Sequence, residues 1–478
     1  MISLRVRRLD FTLATFPQSI GGMRRARTAM ISVATLVPLL CIASRLKAYS
    51  VLSHEAVVDA VWRDSIRQLL LARFPGTTPD QLREARAYAY GGSIIQDMGY
   101  YPFGNAFFSD ATHYVRSGDF VISLLRQSQD LNEYAFALGA LAHYAADCVG
   151  HPMAVNLSVP ILYPKLGRKY GRVVTYADDP AKHIMVEFGF DVVQTAAGIY
   201  ASSNFHDFIG FKVSKPLLER AFKETYGLDL RDVLLSEDLA LGTYRYAAGG
   251  LIPHLTVAAW QLKRDQIEKL IPGITRGRYI YRFSRHEYQK EYGRQYRGRR
   301  VTGKIEGYEH RLVAAAHTPG VGAKILAILF TIIPKVGPFR TLGFKPATPQ
   351  TERLFLDSLT ATRANYRHLL AEVSSGNLNL PNQDFDTGQP TRPGEYPLAD
   401  QTYANLLARL RKEHYKNVTP ELRSNIIAFY DRFDARRRPK HCKVCRNVPQ
   451  ELEEIKTAGV HAANGAGDLP FSRDMIGR

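Results

Sequence analysis

Cysteine is scarce, with four in 478 residues. Cys41 sits in an N-terminal segment that reads as removable, which leaves Cys148, Cys442 and Cys445 and rules out a disulfide framework. Stability must therefore come from a buried core. At 45% hydrophobic residues the chain can form one, and its length suggests two or three domains. Long apolar runs are also missing: "AMISVATLVPLLCIAS" is broken by Pro38, and the apolar core of "GVGAKILAILFTIIPKVGPF" is shorter than a bilayer crossing needs. No stretch with strand-like alternation competes with the helical periodicity over a comparable length. The metalloprotease signature HExxH is absent too, because "HEAVV" stops short of its second histidine.

Acidic residues are in deficit, and the net charge is +18. The first 48 residues hold eight basic residues and one acid, seven of those charge units, so +11 remains on the rest. This balance favours anionic partners such as membrane surfaces, phosphates or nucleic acid without choosing among them. "MRRART" followed by the apolar run has the form of a secretion signal, with Met23 a candidate start and a cleavage after Ala48 that would expose Tyr49. An uncleaved anchor is the alternative. "PLLC" lacks the small residue that a lipoprotein signal needs before its cysteine. A secreted or periplasmic location follows, with membrane association left open.

From Tyr49 to about residue 265 the pattern is helical throughout. "HEAVVDAVWRDSIRQLLLARF" has the 3.6-residue period, and "TPDQLREARAYAYGGSIIQ" opens on a threonine cap with Pro79 at the first helical position. The spacing predicts an all-α domain over 49–270. Residues 271–345 change character: "RGRYIYRFSRHEYQKEYGRQYRGRR" interleaves arginine with tyrosine. That composition can grip phosphates and stack on bases, or form a solvated face over packed tyrosines. The apolar segment after it suits a buried helix or an interfacial one. Helical pattern returns over 346–440, interrupted by the turn-rich "NLNLPNQDFDTGQPTRPGEYP", and the tail 441–478 reads as weakly ordered. In that tail "KHCKVC" reads as a local disulfide rather than half a zinc site.

The chemistry concentrates in "GALAHYAADCVGHPMAVN". His143, Asp147 and His151 recur every four residues, which on a helix stacks them along one face. A polar cluster satisfied by its neighbours would explain any one of them, but imidazole and carboxylate in register are the usual ligands of zinc. Further candidates form an ordered series: His54, Asp97 in "SIIQDMGYYP", His113 in "DATHYV", and His183 and Glu187 one helical turn apart in "KHIMVEF".

This series resembles the zinc-dependent phospholipase C family, whose superfamily also holds single-strand-specific zinc nucleases. The resemblance covers roughly residues 49–200 and is carried most specifically by "YSVLSHEAVVDAVW" and the HxxxD helix. It implies an all-helical fold with up to three zinc ions. Tyr49, through its amine and carbonyl, would join His54 and Asp147 at one ion; Asp97, His113, His143 and Asp147 would hold a second; His151, His183 and Glu187 a third. Asp147 would be shared. Tyrosine stands where the family usually begins with tryptophan, and "GHPM" stands where the family has "PMH", so histidine is at 151 and Met at 153. His151 either reaches the third ion from this shifted position or leaves that ion weaker.

Clustered divalent ions suit phosphodiester hydrolysis, because they acidify water, polarise phosphoryl oxygens and stabilise the leaving alkoxide. Asp97 is the candidate for orienting or deprotonating the attacking water. Tyr100, Tyr101 and Phe103 follow it closely and are candidates for walling a headgroup pocket, or are ordinary core aromatics. The expected function is a zinc phosphodiester hydrolase of phospholipase C type acting on phospholipid or a membrane surface. A zinc nuclease acting on nucleic acid, and a non-catalytic zinc-containing membrane scaffold, are the alternatives.

Overall fold

A computed structural model describes residues 51–101, 103–197, 211–234, 236–246, 347–431 and 444–457, with 264, 265, 268 and 345 besides. The signal, Tyr49, the arginine-tyrosine segment and the apolar segment after it lie outside the described residues, as does Cys442.

Helix α1 (Val51–Val61) has no acidic residue in its own first turn. Instead the Asp191 carboxylate, from another helix, accepts from Leu52 N and Ser53 N at 3.1 Å each and from Ser53 Oγ at 2.6 Å. That carboxylate satisfies first-turn amides and faces the positive end of the helix dipole. A π-turn at Trp62–Ile66 leads into α2 (Arg67–Arg73). Helix α3 (Pro79–Ile94) begins with the expected threonine cap: Thr78 Oγ1 accepts from Gln81 N while the Gln81 side chain accepts from Thr78 N. There follow α4 (Ala106–Tyr114), α5 (Ser117–Gln127) and the long α6 (Leu131–Gly150), which is capped by Asp130. Then come α7 (Asn156–Leu162), α8 (Pro164–Tyr170), α9 (Pro180–Ala197), α10 (Lys215–Tyr226), α11 (Leu230–Val233) and α12 (Glu237–Tyr246).

Helix α6 is the buried axis of the bundle. It is rich in alanine, and it meets α3 through two glycines. A Cβ on Gly92 would lie 1.9 Å from Phe136 O, and one on Gly139 2.0 Å from Ala89 O, so no other residue allows this approach. The short separation brings the C-terminal end of α3 against the metal-facing side of α6.

The C-terminal region, expected as a set of further helices, contains α13 (Pro349–Ser375), α14 (Pro397–Lys412), α15 (Pro420–Asp431) and α16 (Val448–Thr457). The division at residue 270 does not separate two cores. Phe355, Tyr366, Leu406 and Leu407 belong to the same buried apolar cluster as α3 and α6. Phe355 stacks on Phe190 of α9 at 4.5 Å, and Tyr366 donates to Leu138 O of α6 at 2.8 Å. Part of the tail also departs from expectation. Helix α16 is ordered because Ile455 enters the core and Tyr415 donates to Glu451 O. Cys445 beside it is disulfide-bonded.

Between α13 and α14 the turn-rich segment makes a two-stranded antiparallel hairpin, β1 (Gln383–Asp384) and β2 (Gln389–Pro390), with Gln383 opposite Pro390. The fold is otherwise all-α among the described residues, and no described helix is long and apolar enough to cross a membrane.

Candidate metal centre

Every candidate ligand that falls within the described residues is brought to one buried locus. Along α6 and the turn that follows it, His143 Nε2 lies 3.1 Å from Asp147 Oδ2 and His151 Nε2 lies 3.8 Å from Asp147 Oδ1, the single face expected from the four-residue spacing. Helix α1 contributes His54, whose Nε2 is 3.4 Å from Asp147 Oδ1 and whose ring stacks on His143 at 4.3 Å. Helix α4 contributes His113, 3.5 Å from Asp147 Oδ2 and 3.3 Å from Asp97 Oδ1. Asp97 rides on a 3₁₀ turn, Ile95–Tyr100, that extends α3. Asp147 thus touches four imidazoles.

The histidine at 151 is resolved by the local backbone. Pro152 has no N–H to donate back along the helix, and α6 widens at this point into a π-turn, His151–Val155, before resuming as α7. His151 stays on the buried face, four residues after Asp147, whereas Met153 is 40% exposed. The residue at 151 is therefore the one that reaches the centre. Its Nε2 is 3.5 Å from Glu187 Oε1, and its ring lies edge-on to His183 at 5.1 Å. His183 Nδ1 is 2.8 Å from the same Glu187 oxygen.

One acidic residue here was not among the sequence candidates. Asp386, in the turn of the β1–β2 hairpin, places Oδ1 3.2 Å from His151 Nδ1 and 3.2 Å from His183 Nε2. The hairpin lies tightly on the helix: Gly388 adopts φ +67°, and a Cβ there would sit 2.4 Å from Cys148 O. Phe385 next to it covers His113 and His143, with ring separations of 5.2 and 5.9 Å. Asn156 of α7 is the other missed residue. Its Oδ1 meets His183 Nε2 at 2.7 Å, and its Nδ2 donates to Asp386 O at 2.7 Å. "NQDFDTG" shows two aspartates in a turn, but nothing in its spacing ties it to the histidine series.

Three groups of donor atoms result, each within 4.8 Å of one another: His54, His143 and Asp147; Asp97, His113 and His143; His151, His183 and Asp386. A test of fit to metal comes from the imidazole tautomers. His113 Nδ1 meets Ser109 O at 2.7 Å and His143 Nδ1 meets Ser93 O at 2.9 Å. Carbonyls only accept, so both Nδ1 atoms carry the hydrogen and both Nε2 lone pairs point inward, 3.3 Å apart. Two facing lone pairs repel unless a cation lies between them. Zinc–ligand bonds of 2.0–2.1 Å imply ligand separations of roughly 3.3 Å around a tetrahedral ion. The carboxylates agree, since neither oxygen of Asp147 nor of Glu187 takes a well-formed hydrogen bond although all four are buried.

Electrostatics divide the centre. Burial, and then His143, hold the His54 pKa well below the usual imidazole value, and burial lowers that of His113. Both are thereby kept in the neutral form that ligates. Burial opposes ionisation of Asp147, yet His143, His151 and His54 hold its carboxyl well below the usual range. At the third group the balance reverses. Despite burial, Asp147 and Asp386 raise His151, and Glu187 and Asp386 push His183 up to about 10. Asp384 supports the hairpin turn by accepting from Asp386 N at 2.9 Å, and burial beside Asp386 pushes its own pKa up to about 7.

The aromatic candidates are placed but differ in kind. Tyr100 is buried, donates to Asp110 Oδ1 at 3.0 Å and tilts against His113 at 5.7 Å. Tyr101 is half-buried against Tyr244, and Phe103 is half-buried with φ 62°, a left-handed conformation rare for a bulky residue.

A helical domain that gathers three buried imidazole–carboxylate groups around one shared aspartate defines a class, the proteins with a clustered divalent-metal centre. Residues 53–234 match the family model for zinc dependent phospholipase C. The match supports zinc as the metal and a phospholipase-type hydrolase, and the three groups could hold up to three ions. No curated protein and no solved structure matches the chain. Asp386 lies outside the matched segment.

Proposed function

We propose that this protein hydrolyses the phosphodiester of phospholipids in the manner of phospholipase C, releasing a phosphorylated headgroup and diacylglycerol through a trinuclear zinc centre. The observation that carries this reading is the sharing of Asp147 among four imidazoles, because one carboxylate reached from several sides is what holds ions close enough to act on one phosphate. Bound zinc would supply an acidified water and stabilise charge on the phosphoryl and leaving oxygens.

The residues would hold and orient the reactants. Asp97, buried and 3.3 Å from His113, accepts the proton of the attacking water as its oxygen bonds to phosphorus. The phosphorus–oxygen bond to glycerol breaks, and that proton passes to the leaving alkoxide. Tyr100, Tyr101 and Phe103, which follow Asp97 closely in the chain, would wall the headgroup pocket. The N-terminal signal would deliver the chain to a secreted or periplasmic location, where cleavage before Tyr49 frees an amine for the His54–Asp147 group. The net charge of +11 left after that cleavage would favour an anionic lipid surface.

Release of phosphorylated headgroup from phosphatidylcholine vesicles, measured beside digestion of single-stranded DNA, tests the proposal. Headgroup release that depends on zinc is expected. Activity on DNA alone would replace this reading with the nuclease, which the arginine-tyrosine composition of residues 276–300 favours.

A further inference from the structure

The third group offers an ion two edges. One is formed by His151 Nδ1, His183 Nε2 and Asp386 Oδ1. The other is formed by His151 Nε2, His183 Nδ1 and Glu187 Oε1. Asn156 distinguishes them. Its Nδ2 donates to Asp386 O at 2.7 Å, and because a carbonyl only accepts, this contact fixes which end of the amide is nitrogen. The amide oxygen therefore faces His183 Nε2, at 2.7 Å, and it too only accepts. The hydrogen of His183 is on Nε2. Its lone pair is then on Nδ1, 2.8 Å from Glu187 Oε1, and both of these buried atoms lack a hydrogen bond. A lone pair held that close to a carboxylate oxygen calls for a cation on the Glu187 edge.

Asp386 consequently stands behind the imidazoles. Its Oδ2 accepts from Tyr176 N at 2.8 Å and from the Tyr396 hydroxyl, which aims Oδ1 at the two back nitrogens, each 3.2 Å away. This is the relation that metal-bound histidines usually have to an outer carboxylate, which sets the tautomer and makes the ring a stronger donor. His113 and His143 have backbone carbonyls in that role.

We propose that Asp386 and Asn156 are positioning residues of the third zinc site, holding the hydrogens on His183 Nε2 and His151 Nδ1 so that His183 Nδ1 and His151 Nε2 face Glu187 and the ion. The C-terminal region beyond the family segment is thereby part of the metal centre. The inference rests on the zinc family and not on the substrate proposed above.

The test is nitrogen-15 NMR of histidine-labelled, zinc-loaded full-length protein, joined to chelator competition on Asp386→Ala and Asp386→Asn. Expected are a His183 with its hydrogen on Nε2 and a His151 with its hydrogen on Nδ1. Asp386→Ala should weaken one ion by about 10- to 100-fold and leave the others unchanged, and Asp386→Asn, which keeps an acceptor oxygen, should recover part of that loss. His183 found with its hydrogen on Nδ1 would overturn the proposal, as would unchanged affinity for every ion in Asp386→Ala. The tautomer measurement on the unaltered protein decides the matter even where a variant fails to fold. None of these readouts involves hydrolysis, so a wrong substrate leaves them standing.

Discussion

The half of the metal centre built on His54, Asp97, His113 and His143 and the half built on His151, His183 and Glu187 share Asp147 but are prepared for metal in opposite ways. In the first, burial keeps His54 and His113 neutral, and neutral carbonyl oxygens hold the outer nitrogens of His113 and His143. In the second, carboxylates flank the imidazoles and raise both, Asp147 and Asp386 at His151 and Glu187 and Asp386 at His183. The difference teaches that the same ligand type can be kept ready by removing water or by adding charge. Only the second way makes the ion compete with a proton.

Asp147→Asn acts on both halves and should do the most damage. Zinc content should fall by about two ions, and hydrolysis by at least about a thousandfold, since several kcal/mol of charge stabilisation is lost. Metal analysis and initial rates check this. Asp97→Asn touches the first half alone. It should lower kcat by about 10²- to 10⁴-fold while the third ion binds as before, read from rates together with chelator competition.

A change of pH acts on the second half. In the metal-free protein His183 titrates near 10, so zinc entering there displaces a proton, and that ion's affinity should rise about tenfold per pH unit from pH 7 to 9. The ion among Asp97, His113 and His143 should show no such slope in that range, because burial holds His113 below the ordinary imidazole value. Calorimetry in buffers of different ionisation heat counts the protons. The same shift has a sign for stability: a raised histidine stabilises the metal-free fold below its unfolded value of about 6.5, and this is lost as pH rises through about 10. The Tm of the chelated protein should therefore fall across that window. The smallest effect is expected from Tyr396→Phe, which removes one hydrogen bond to Asp386. At about 1 kcal/mol it should weaken the third ion about fivefold and leave the first half untouched, again by chelator competition.

Much of this was legible in the chain because the informative residues are close in sequence or carried on helices. The threonine before Pro79 starts a helix by a local hydrogen-bond exchange, and His143, Asp147 and His151 share a face because the helix repeats every 3.6 residues. The shift of histidine to 151 was visible, but its consequence was not. It depends on a π-turn, and no periodicity announces one. Asp386 was out of reach for a different reason. Its place is set by a hairpin that docks through Gly388 on the backbone of α6, by Tyr176 N, and by Tyr396 at the head of α14, contacts between positions far apart in the chain. The helices beyond residue 346 and the family segment contribute to one apolar core, again through contacts far apart in the chain.

Zinc content of the purified chain, measured on the same sample as its hydrolysis of phosphatidylcholine before chelation, after chelation and after zinc is restored, tests the account as a whole. The three donor groups predict bound zinc, with headgroup release lost on chelation and regained with the metal. A chain that holds zinc in these groups yet hydrolyses no phosphodiester under any of the three conditions would contradict it.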